Sequence, residues 1–284
     1  MKRMLITGAS GFLGSRIAEF YAPEYEIYAP AHGELDITDG IRVRRMFEAQ
    51  KPDIVIHCAA VSDVGRCEKE PERSWKINVG GSVSLAKAAG EIQAKCIFCS
   101  SDQVYFGSSL SGPHREEEEL SPGNLYGQEK LKAEQECLSA NPDCVLLRLS
   151  WMYDVKTKRE GEHSDFFRTL MSQLKNGTDI KLPVFDRRGI TDVGEVLQNL
   201  EKTFSIPGGV YNFGSPNRED TYTTVREVFT QAGLEISTLQ KNREAFGENP
   251  RNLTMCQEKL NDFGIFFSST VDGLVRCFGS MDKI

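Results

Sequence analysis

Short apolar runs alternate with longer helical patterns along the first half of the chain. The apolar runs predict five strands, at residues 3–7, 25–30, 53–58, 95–100 and 144–149. These runs are too continuously apolar for half-exposed antiparallel strands, so we expect burial on both faces. The patterns between them predict helices at residues 11–21, 39–49, 72–92 and 122–140. Thr38 is a candidate N-cap for the second helix, and Ser121 before Pro122 for the last. Such alternation is typical of a parallel sheet with helical crossovers.

The alternation of predicted strands and helices becomes less regular after residue 150. Helical periodicity returns at residues 164–175, 221–233 and 270–279, and residues 209–214 predict one more strand. The loops between these segments are rich in Pro, Gly and charged residues. We therefore expect a first domain over residues 1–150 and a smaller, loop-rich region over residues 151–284. Some elements of that second region should return to the main sheet.

The charge balance limits the partners. The 284 residues carry 34 Lys+Arg and 41 Asp+Glu, a formal net charge of −7. An acidic chain without a basic block argues against nucleic acid or an anionic membrane as the main partner. We find no cleavable hydrophobic segment at the start and no stretch of 18 apolar residues. The expectation is a soluble, cytoplasmic protein, with a homodimer left open.

The cysteines and histidines are expected to be structural. Eight cysteines are scattered along the chain, and the close pair Cys96 and Cys99 should point to opposite faces of a strand. Because no second pair is spaced for zinc, we expect reduced, buried thiols and no metal site. His57 should be a hydrogen-bonded core residue, while His114 and His163 lie in polar loops without metal-ligand spacing. The acidic run 116–119 should be solvated.

A glycine-rich turn, TGASGFLG at residues 7–14, joins the first strand to the first helix. Gly8 permits the tight turn, Gly11 lets a pyrophosphate approach the backbone, and Gly14 allows the helix to pack closely on the strand. The N–H groups at the helix start would then bind the phosphates. At this junction the pattern predicts a Rossmann-type dinucleotide-binding domain, with a plain strand–helix turn as the alternative.

The end of the second strand bears on the choice of dinucleotide. Residues 29–32, APAH, lack the acidic residue that accepts both ribose hydroxyls of NAD. That leaves room for a 2′-phosphate, to which His32 could hydrogen-bond, although Glu34 could still serve in the NAD manner. We therefore favour NADPH and keep NADH open. Asp36 is a candidate for the adenine edge or, equally, for a charge at a helix start.

Tyr126 and Lys130 form a Y-x-x-x-K pair, which places both side chains on one face of the predicted helix. A neighbouring ammonium stabilises a phenolate, so the tyrosine pKa is expected to fall by about 1–3 units from about 10. Such a tyrosine is a usable general acid. Ser101 falls at the end of the fourth strand, the edge where open parallel sheets bind ligands, and could hold a substrate carbonyl. A local Ser/Asp turn is the alternative.

At these residues the chain resembles the extended short-chain dehydrogenase/reductases and, within them, the dTDP-4-dehydrorhamnose reductase family. The resemblance covers most of the length, through TGASGFLG, LDITD, PDIVIHCAA, KINVGG, SSDQVYFG, NLYGQEKLKAE, RLSWMYD and PRNLTMCQEKLNDFGI. It implies the catalytic residues Ser101, Tyr126 and Lys130. It also implies cofactor contacts from Gly8, Ser10, Gly11, Phe12, Leu13, Gly14, His32, Asp36, Ile37, Cys58, Ala59, Ala60, Asn78, Tyr126 and Lys130.

Substrate contacts implied by the same resemblance are Asp102, Gln103, Trp151 and Arg187. The sequence departs from the family pattern at two places on the substrate side. Gln103 stands where the family often has tyrosine, and residues 186–192 read DRRGITD where members commonly have D-Q-x-G-x-P-T. Arg187 and Arg188 could clamp a pyrophosphate, or could form a solvated surface pair.

The resemblance implies reduction of the 4-keto group of a nucleotide-linked 6-deoxysugar, of the kind that feeds rhamnose-containing glycans. One alternative is an epimerase or dehydratase that retains NAD. Another is a non-catalytic NADP-binding regulatory subunit, although such a subunit would not need Ser101, Tyr126 and Lys130 together.

Overall fold

The computed structural model describes residues 1–156, 162 and 164–281, without the side chains of residues 280 and 281; His163 is outside the described residues. The strands are β1 Lys2–Thr7, β2 Tyr25–Tyr28, β3 Ile54–His57, β4 Lys95–Ser101, β5 Val145–Leu149, β6 Trp151–Tyr153, β7 Ile180–Pro183, β8 Asp186–Arg188, β9 Ile190–Asp192, β10 Gly209–Phe213, β11 Leu239–Asn242 and β12 Arg251–Leu253. The α-helices are α1 Phe12–Tyr21, α2 Gly40–Gln50, α3 Val64–Lys69, α4 Pro71–Trp75, α5 Ser82–Glu91, α6 Leu125–Ala140, α7 Phe166–Lys175, α8 Val193–Leu200, α9 Thr221–Gln231, α10 Glu258–Asn261 and α11 Thr270–Met281. A π-helix spans Lys76–Gly81.

Six strands form the central sheet, in the order β10-β5-β4-β3-β1-β2. Parallel pairing joins β1 to β2 and to β3, β3 to β4, and β4 to β5. Every residue of β3 and β5 is buried, as their continuous apolar patterns predicted. The predicted α/β fold with a parallel sheet is therefore confirmed. Successive strands are added on one side of β1 for β2 and on the other side from β3 onwards, so the strand order reverses at β1. Open parallel sheets bind ligands at such a switch point.

Within the described residues, the chain forms two compact groups. The first comprises residues 1–104, 120–149 and 199–211, and the second comprises residues 105–119, 150–156, 162, 164–198 and 212–281. In the second group, short parallel pairs join β6 to β9, β7 to β11 and β8 to β12. Its core combines aliphatic and aromatic side chains, with Tyr153, Phe167, Phe229 and Phe278 among the buried aromatic residues. None of the described helices is long and apolar enough to cross a membrane.

Two helices start later than their sequence signals predicted. Asp39, not Thr38, caps α2, because its carboxylate accepts from the N–H groups of Ile41 and Arg42, each at 3.1 Å. Thr38 instead donates its hydroxyl to Asp36. Asn124, not Ser121, caps α6 by accepting from the N–H of Gly127 at 2.7 Å. In both cases a second polar side chain nearer the helix competes for the cap.

The predicted helix over residues 72–92 is interrupted. It divides into α4, the π-helix and α5, and Asn78 lies in the π-helix. The Asn78 side chain accepts from the N–H of Val61 at 2.8 Å and donates to the Val61 carbonyl at 3.0 Å. A π-helical turn is wider than an α-helical one. We infer that the widening lets Asn78 reach the segment that follows β3.

His57, at the end of β3, is the hydrogen-bonded core residue that the sequence predicted. Its side chain lies between Thr7 and Ser82, with Nδ1 2.7 Å from Thr7 Oγ1 and Nε2 2.9 Å from Ser82 Oγ. Ser82 donates its only hydroxyl proton to the Asn78 carbonyl, so it accepts from His57 Nε2–H, and Nδ1 accepts from Thr7. Burial holds the pKa of His57 down at about 3.

This neutral histidine should make stability depend on pH. The unfolded imidazole titrates near pH 6.5. The His57 contribution to stability is therefore present above pH 6.5 and is lost as the pH falls towards 3. We expect the wild type to lose about 1.4 kcal/mol per pH unit below about pH 6 relative to His57→Gln. Urea unfolding at three pH values measures this difference. The control is His32→Gln, which replaces an exposed histidine and should leave the pH dependence of the free energy of unfolding as in the wild type.

Candidate active site

The glycine turn after β1 brings backbone into close contact with backbone. Gly8 has a φ of +72°, and the N–H of Gly11 donates to its carbonyl at 3.0 Å. A Cβ on Gly8 would lie 2.6 Å from the nitrogen of Ala59, in the segment after β3. Helix α1 begins with Gly11 as N-cap and without a side-chain cap. Its first N–H groups and its positive dipole end are therefore available to an anion, which fits a pyrophosphate in this turn.

Gly14 does not have a positive φ, so a substitution there tests the packing of the turn and not backbone strain. A Cβ there would meet the Gly8 carbonyl and lie 2.8 Å from its carbon. We expect Gly14→Ala to lower the free energy of unfolding by about 1–3 kcal/mol, the usual range for overpacking. It should also weaken NADPH binding, because the turn must shift.

Gly80→Ala is the matched control for that substitution, since a Cβ there meets nothing within 4 Å. Urea unfolding and a fluorescence titration with NADPH measure both effects. Equal stability and equal affinity in the two variants would contradict the close packing of α1 on the turn.

The residues predicted to surround the cofactor ribose lie on the loop after β2. His32 is exposed, whereas Glu34 accepts from the N–H of Ala31 at 2.7 Å. Asp36 accepts from the N–H and the hydroxyl of Thr38 at 2.9 and 2.8 Å, and these bonds lower its pKa. Both carboxylates thus have partners within their own loop, which favours a structural role for Asp36. His32 remains the exposed donor on this loop.

Helix α6 and the end of β4 bring Ser101, Tyr126 and Lys130 together. All three are buried or nearly so. The Lys130 ammonium donates to the Cys99 carbonyl at 2.8 Å and lies 5.7 Å from the centre of the Tyr126 ring. The Y-x-x-x-K spacing therefore placed both side chains correctly on the face of α6 that meets β4.

The expected depression of the tyrosine pKa is wrong for this structure. Burial raises the pKa of Tyr126. Hydrogen bonding with Ser101 opposes part of this rise, and the nearby charge of Asp102 adds to the rise. Lys130 is itself buried, and this burial lowers its own pKa. Desolvation of the phenol therefore outweighs the neighbouring ammonium, which was expected to dominate. The phenol is therefore protonated at neutral pH, which is the form that a proton donor needs.

The residues after Ser101 connect it to the start of α6. The Ser101 hydroxyl lies 3.3 Å from a carboxylate oxygen of Asp102 and accepts from the N–H of Gln103 at 3.2 Å. Gln103 is buried, and its side-chain oxygen accepts from Asn124 at 3.0 Å. Asn124 caps α6, so Gln103, which stands where the family often has tyrosine, supports the helix that carries Tyr126 through this hydrogen bond.

Sequence reasoning missed Glu129. This carboxylate lies between Tyr126 and Lys130 in α6 and is fully buried. It accepts from Asn78 Nδ2 at 2.6 Å and from the hydroxyl of Ser74. It thus ties α6 to the π-helix and to α4. A carboxylate three residues after Tyr126, on the same face of the helix, was the available signal.

In the second group, Trp151 is 40% exposed and packs against Phe166, with the ring centres 5.3 Å apart and the rings tilted by 58°. The guanidinium of Arg188 lies 5.0 Å from the centre of the Trp151 ring. Arg187 is exposed at the neighbouring position. The two arginines therefore differ: Arg188 supports Trp151, and Arg187 faces solvent.

A parallel sheet with a glycine turn after β1 and a Ser–Tyr–Lys cluster beyond β4 defines an extended short-chain dehydrogenase/reductase. The family model described as the RmlD substrate binding domain matches residues 1–275. This chain belongs to that family.

Relatives and solved structures agree with this assignment. The dTDP-4-dehydrorhamnose reductase of Mycolicibacterium smegmatis is 37% identical over 240 residues, covering 82% of this chain and 70% of that protein. Methionine adenosyltransferase 2 subunit beta of Xenopus tropicalis is 30% identical, covering 93% of this chain and 83% of that protein. The crystal structure of the dTDP-4-dehydrorhamnose reductase of Bacillus anthracis in complex with NADP is similar with a TM-score of 0.84 and 26% identity, covering 99% of both chains.

Proposed function

We propose that this protein uses NADPH, or less readily NADH, to reduce the 4-keto group of a nucleotide-linked 6-deoxysugar. The observation that carries the proposal is the cluster of Ser101, Tyr126 and Lys130 beyond β4, two strands away from the glycine turn after β1. The similarity to a reductase crystallised with NADP supports both the cofactor and the substrate class. The resulting product class fits rhamnose biosynthesis.

Each side chain of the cluster has a distinct role in this reaction. Bound NADPH supplies a hydride to the carbonyl carbon. Tyr126 donates its hydroxyl proton to the carbonyl oxygen, and Ser101 orients that oxygen through its hydroxyl. An ammonium has three donors, of which Lys130 uses one on the Cys99 carbonyl, so two remain for the hydroxyls of the nicotinamide ribose.

We assign the remaining contacts as the sequence predicted them. Residues 1–150 hold the dinucleotide, and residues 151–284 mainly hold the sugar nucleotide. Asp102 and Gln103 lie at the sugar, with Trp151 and Arg187 on the substrate side. The exposure of Trp151 and Arg187 is consistent with ligand contact. The cytoplasmic location, the homodimer and the lack of a nucleic-acid partner stay predictions.

A second candidate function rests on one observation. The relative named as a methionine adenosyltransferase subunit covers more of this chain, 93%, than the 82% covered by the mycobacterial reductase. A regulatory, NADP-binding subunit is therefore the alternative. The intact Ser–Tyr–Lys cluster favours the enzyme over this alternative.

The test mixes purified protein with NADPH and a dTDP-4-keto-6-deoxysugar, and follows the loss of NADPH absorbance. Turnover supports the proposal. Tight NAD in the purified protein, without net NADPH oxidation, would instead indicate an epimerase or dehydratase. If the protein binds NADPH, leaves the sugar unchanged and alters the rate of a methionine adenosyltransferase catalytic subunit, the regulatory alternative holds.

A further inference from the structure

Two cysteine sulfurs meet at the edge of the sheet where the cluster lies. Cys58 directly follows β3 and Cys99 lies in β4, and their Sγ atoms are 3.5 Å apart. The parallel register pairs His57 with Phe98, so the next residues, Cys58 and Cys99, are neighbours across the strands. Neighbouring strands are about 4.8 Å apart, which lies within the Cα separation of about 4.4–6.8 Å that a disulfide requires.

This pair connects the two halves of the proposed site. The Cys99 carbonyl accepts from the Lys130 ammonium at 2.8 Å. On the other side, the carbonyl carbon of Cys58 would lie 2.7 Å from a Cβ on Gly8, so its backbone packs directly against the glycine turn. A change in the separation of Cys58 and Cys99 therefore moves backbone that supports Lys130 or backbone that supports the turn.

A second cysteine pair provides an internal comparison. Cys96 and Cys144 have the same relation across β4 and β5, because Ile97 pairs with Val145. Both of these side chains are fully buried, whereas Cys58 and Cys99 are partly exposed. The first pair is therefore the more accessible of the two to a small oxidant in solution.

We propose that Cys58 and Cys99 are a peroxide-sensitive thiol pair whose disulfide reversibly weakens dinucleotide binding and catalysis. In the first step, the Cys99 thiolate attacks hydrogen peroxide, forming an S–O bond while the O–O bond breaks, and hydroxide leaves. In the second step, the sulfur of Cys58 attacks Cys99, and water leaves as the disulfide forms. The two thiols are oxidised, and one peroxide is reduced to two waters.

The surroundings favour Cys99 as the attacking sulfur. The hydrogen bond between the two sulfurs lowers the pKa of Cys99; burial opposes this effect, and the charge of Lys130 adds to it. The same hydrogen bond, together with burial, raises the pKa of Cys58. A thiolate, not a thiol, is the nucleophile in such reactions.

The functional consequence rests on the proposed reductase activity, but the disulfide itself does not. A disulfide holds its sulfurs about 2 Å apart, whereas the Sγ atoms of Cys58 and Cys99 are 3.5 Å apart, so both side chains must move and they pull on the backbone next to them. A displacement of about 1 Å near reacting groups can cost on the order of 100-fold in rate. We therefore expect a loss of reductase rate between about 10-fold and 100-fold, restored by dithiothreitol.

Peptide mapping identifies the disulfide independently of activity. Full-length protein is treated with hydrogen peroxide, alkylated and digested with trypsin. A Cys58–Cys99 disulfide joins peptide 46–66 to peptide 96–115, whereas a Cys96–Cys144 disulfide joins peptide 96–115 to peptide 133–148. We expect the first link only. This link should be absent in Cys99→Ser. It should be retained in Cys96→Ser and in Cys256→Ser; Cys256 is a partly exposed cysteine outside both pairs.

The outcomes separate the two proposals. The thiol proposal is overturned if Cys256 is oxidised while peptide 46–66 stays unlinked, or if the link forms and the NADPH dissociation constant does not change. A protein that forms the link and loses NADPH affinity, yet never reduces the sugar, leaves the thiol pair established and removes the reductase proposal. Rates of each variant are compared with its own reduced form.

Discussion

Replacing Tyr126 by phenylalanine should lower kcat of the proposed reduction by at least about 100-fold, because the variant has no proton to give to the carbonyl oxygen. NADPH binding should change little, since the hydroxyl is expected to act on the sugar. The protein should fold, because the ring keeps its buried position on α6. Steady-state kinetics and a binding titration measure these quantities separately.

The control for this substitution is Tyr21→Phe. Tyr21 is also buried, and its hydroxyl accepts from the N–H of Glu201, remote from the Ser–Tyr–Lys cluster. It reports what the loss of a buried hydroxyl does to stability alone. Similar kcat values for Tyr126→Phe and Tyr21→Phe would remove Tyr126 as the proton donor.

The raised pKa of Tyr126 also predicts how kcat of the wild type depends on pH. Since burial raises that pKa, the phenol stays protonated as the pH rises through neutrality, and only alkaline pH removes its proton. The kcat of the wild type should therefore not fall between about pH 7 and pH 9 through loss of this proton. A steep fall over that range, abolished in Tyr126→Phe, would mean that Lys130 does control the phenol.

The elements of the central sheet were predictable because their signals are local. A strand buried on both faces is continuously apolar, and β1, β3 and β5 were each located to within one or two residues in this way. The positions of the proposed catalytic side chains followed from the same information. Ser101 ends a strand, and the spacing of Tyr126 and Lys130 puts both on one helix face.

Properties that depend on tertiary burial could not be obtained in the same way. Spacing along a helix places Lys130 near Tyr126, but it does not say how much water surrounds either group, and desolvation decides the direction of the tyrosine pKa. The acidic run shows the same limit. Glu116, expected to be solvated, is partly buried and accepts from the N–H of Asn212 at 2.8 Å.

Long-range pairs were also hidden. Cys58 and Cys99 are 41 residues apart, and only the register of β3 and β4 makes them neighbours. His114 was expected in a polar loop, but it is fully buried, with Nδ1 2.7 Å from Glu118 and Nε2 3.0 Å from the Asn252 carbonyl. The strands of the second group are only three or four residues long, too short for a periodic signal.

The pair of Glu134 and Arg148 is the other place where one substitution should have a large effect. Glu134 lies one turn after Lys130 in α6, and both side chains of the pair are buried. Arg148, in β5, contacts both carboxylate oxygens, at 2.7 and 3.0 Å. Ser100, beside Ser101 in β4, donates to the same carboxylate at 2.5 Å. Glu134 thus joins the helix of Tyr126 to two strands of the sheet.

We expect Glu134→Gln to lower the free energy of unfolding by about 3–5 kcal/mol, because it leaves the Arg148 charge buried without its carboxylate. The matched control is Glu91→Gln, which removes a carboxylate from an exposed pair with the same two-point geometry, to Arg44 at 2.6 and 3.0 Å. Solvent screens that pair, so its loss should be far smaller. Urea unfolding of both variants measures the difference. Losses of similar size would mean that Glu134 and Arg148 do not hold α6 against the sheet.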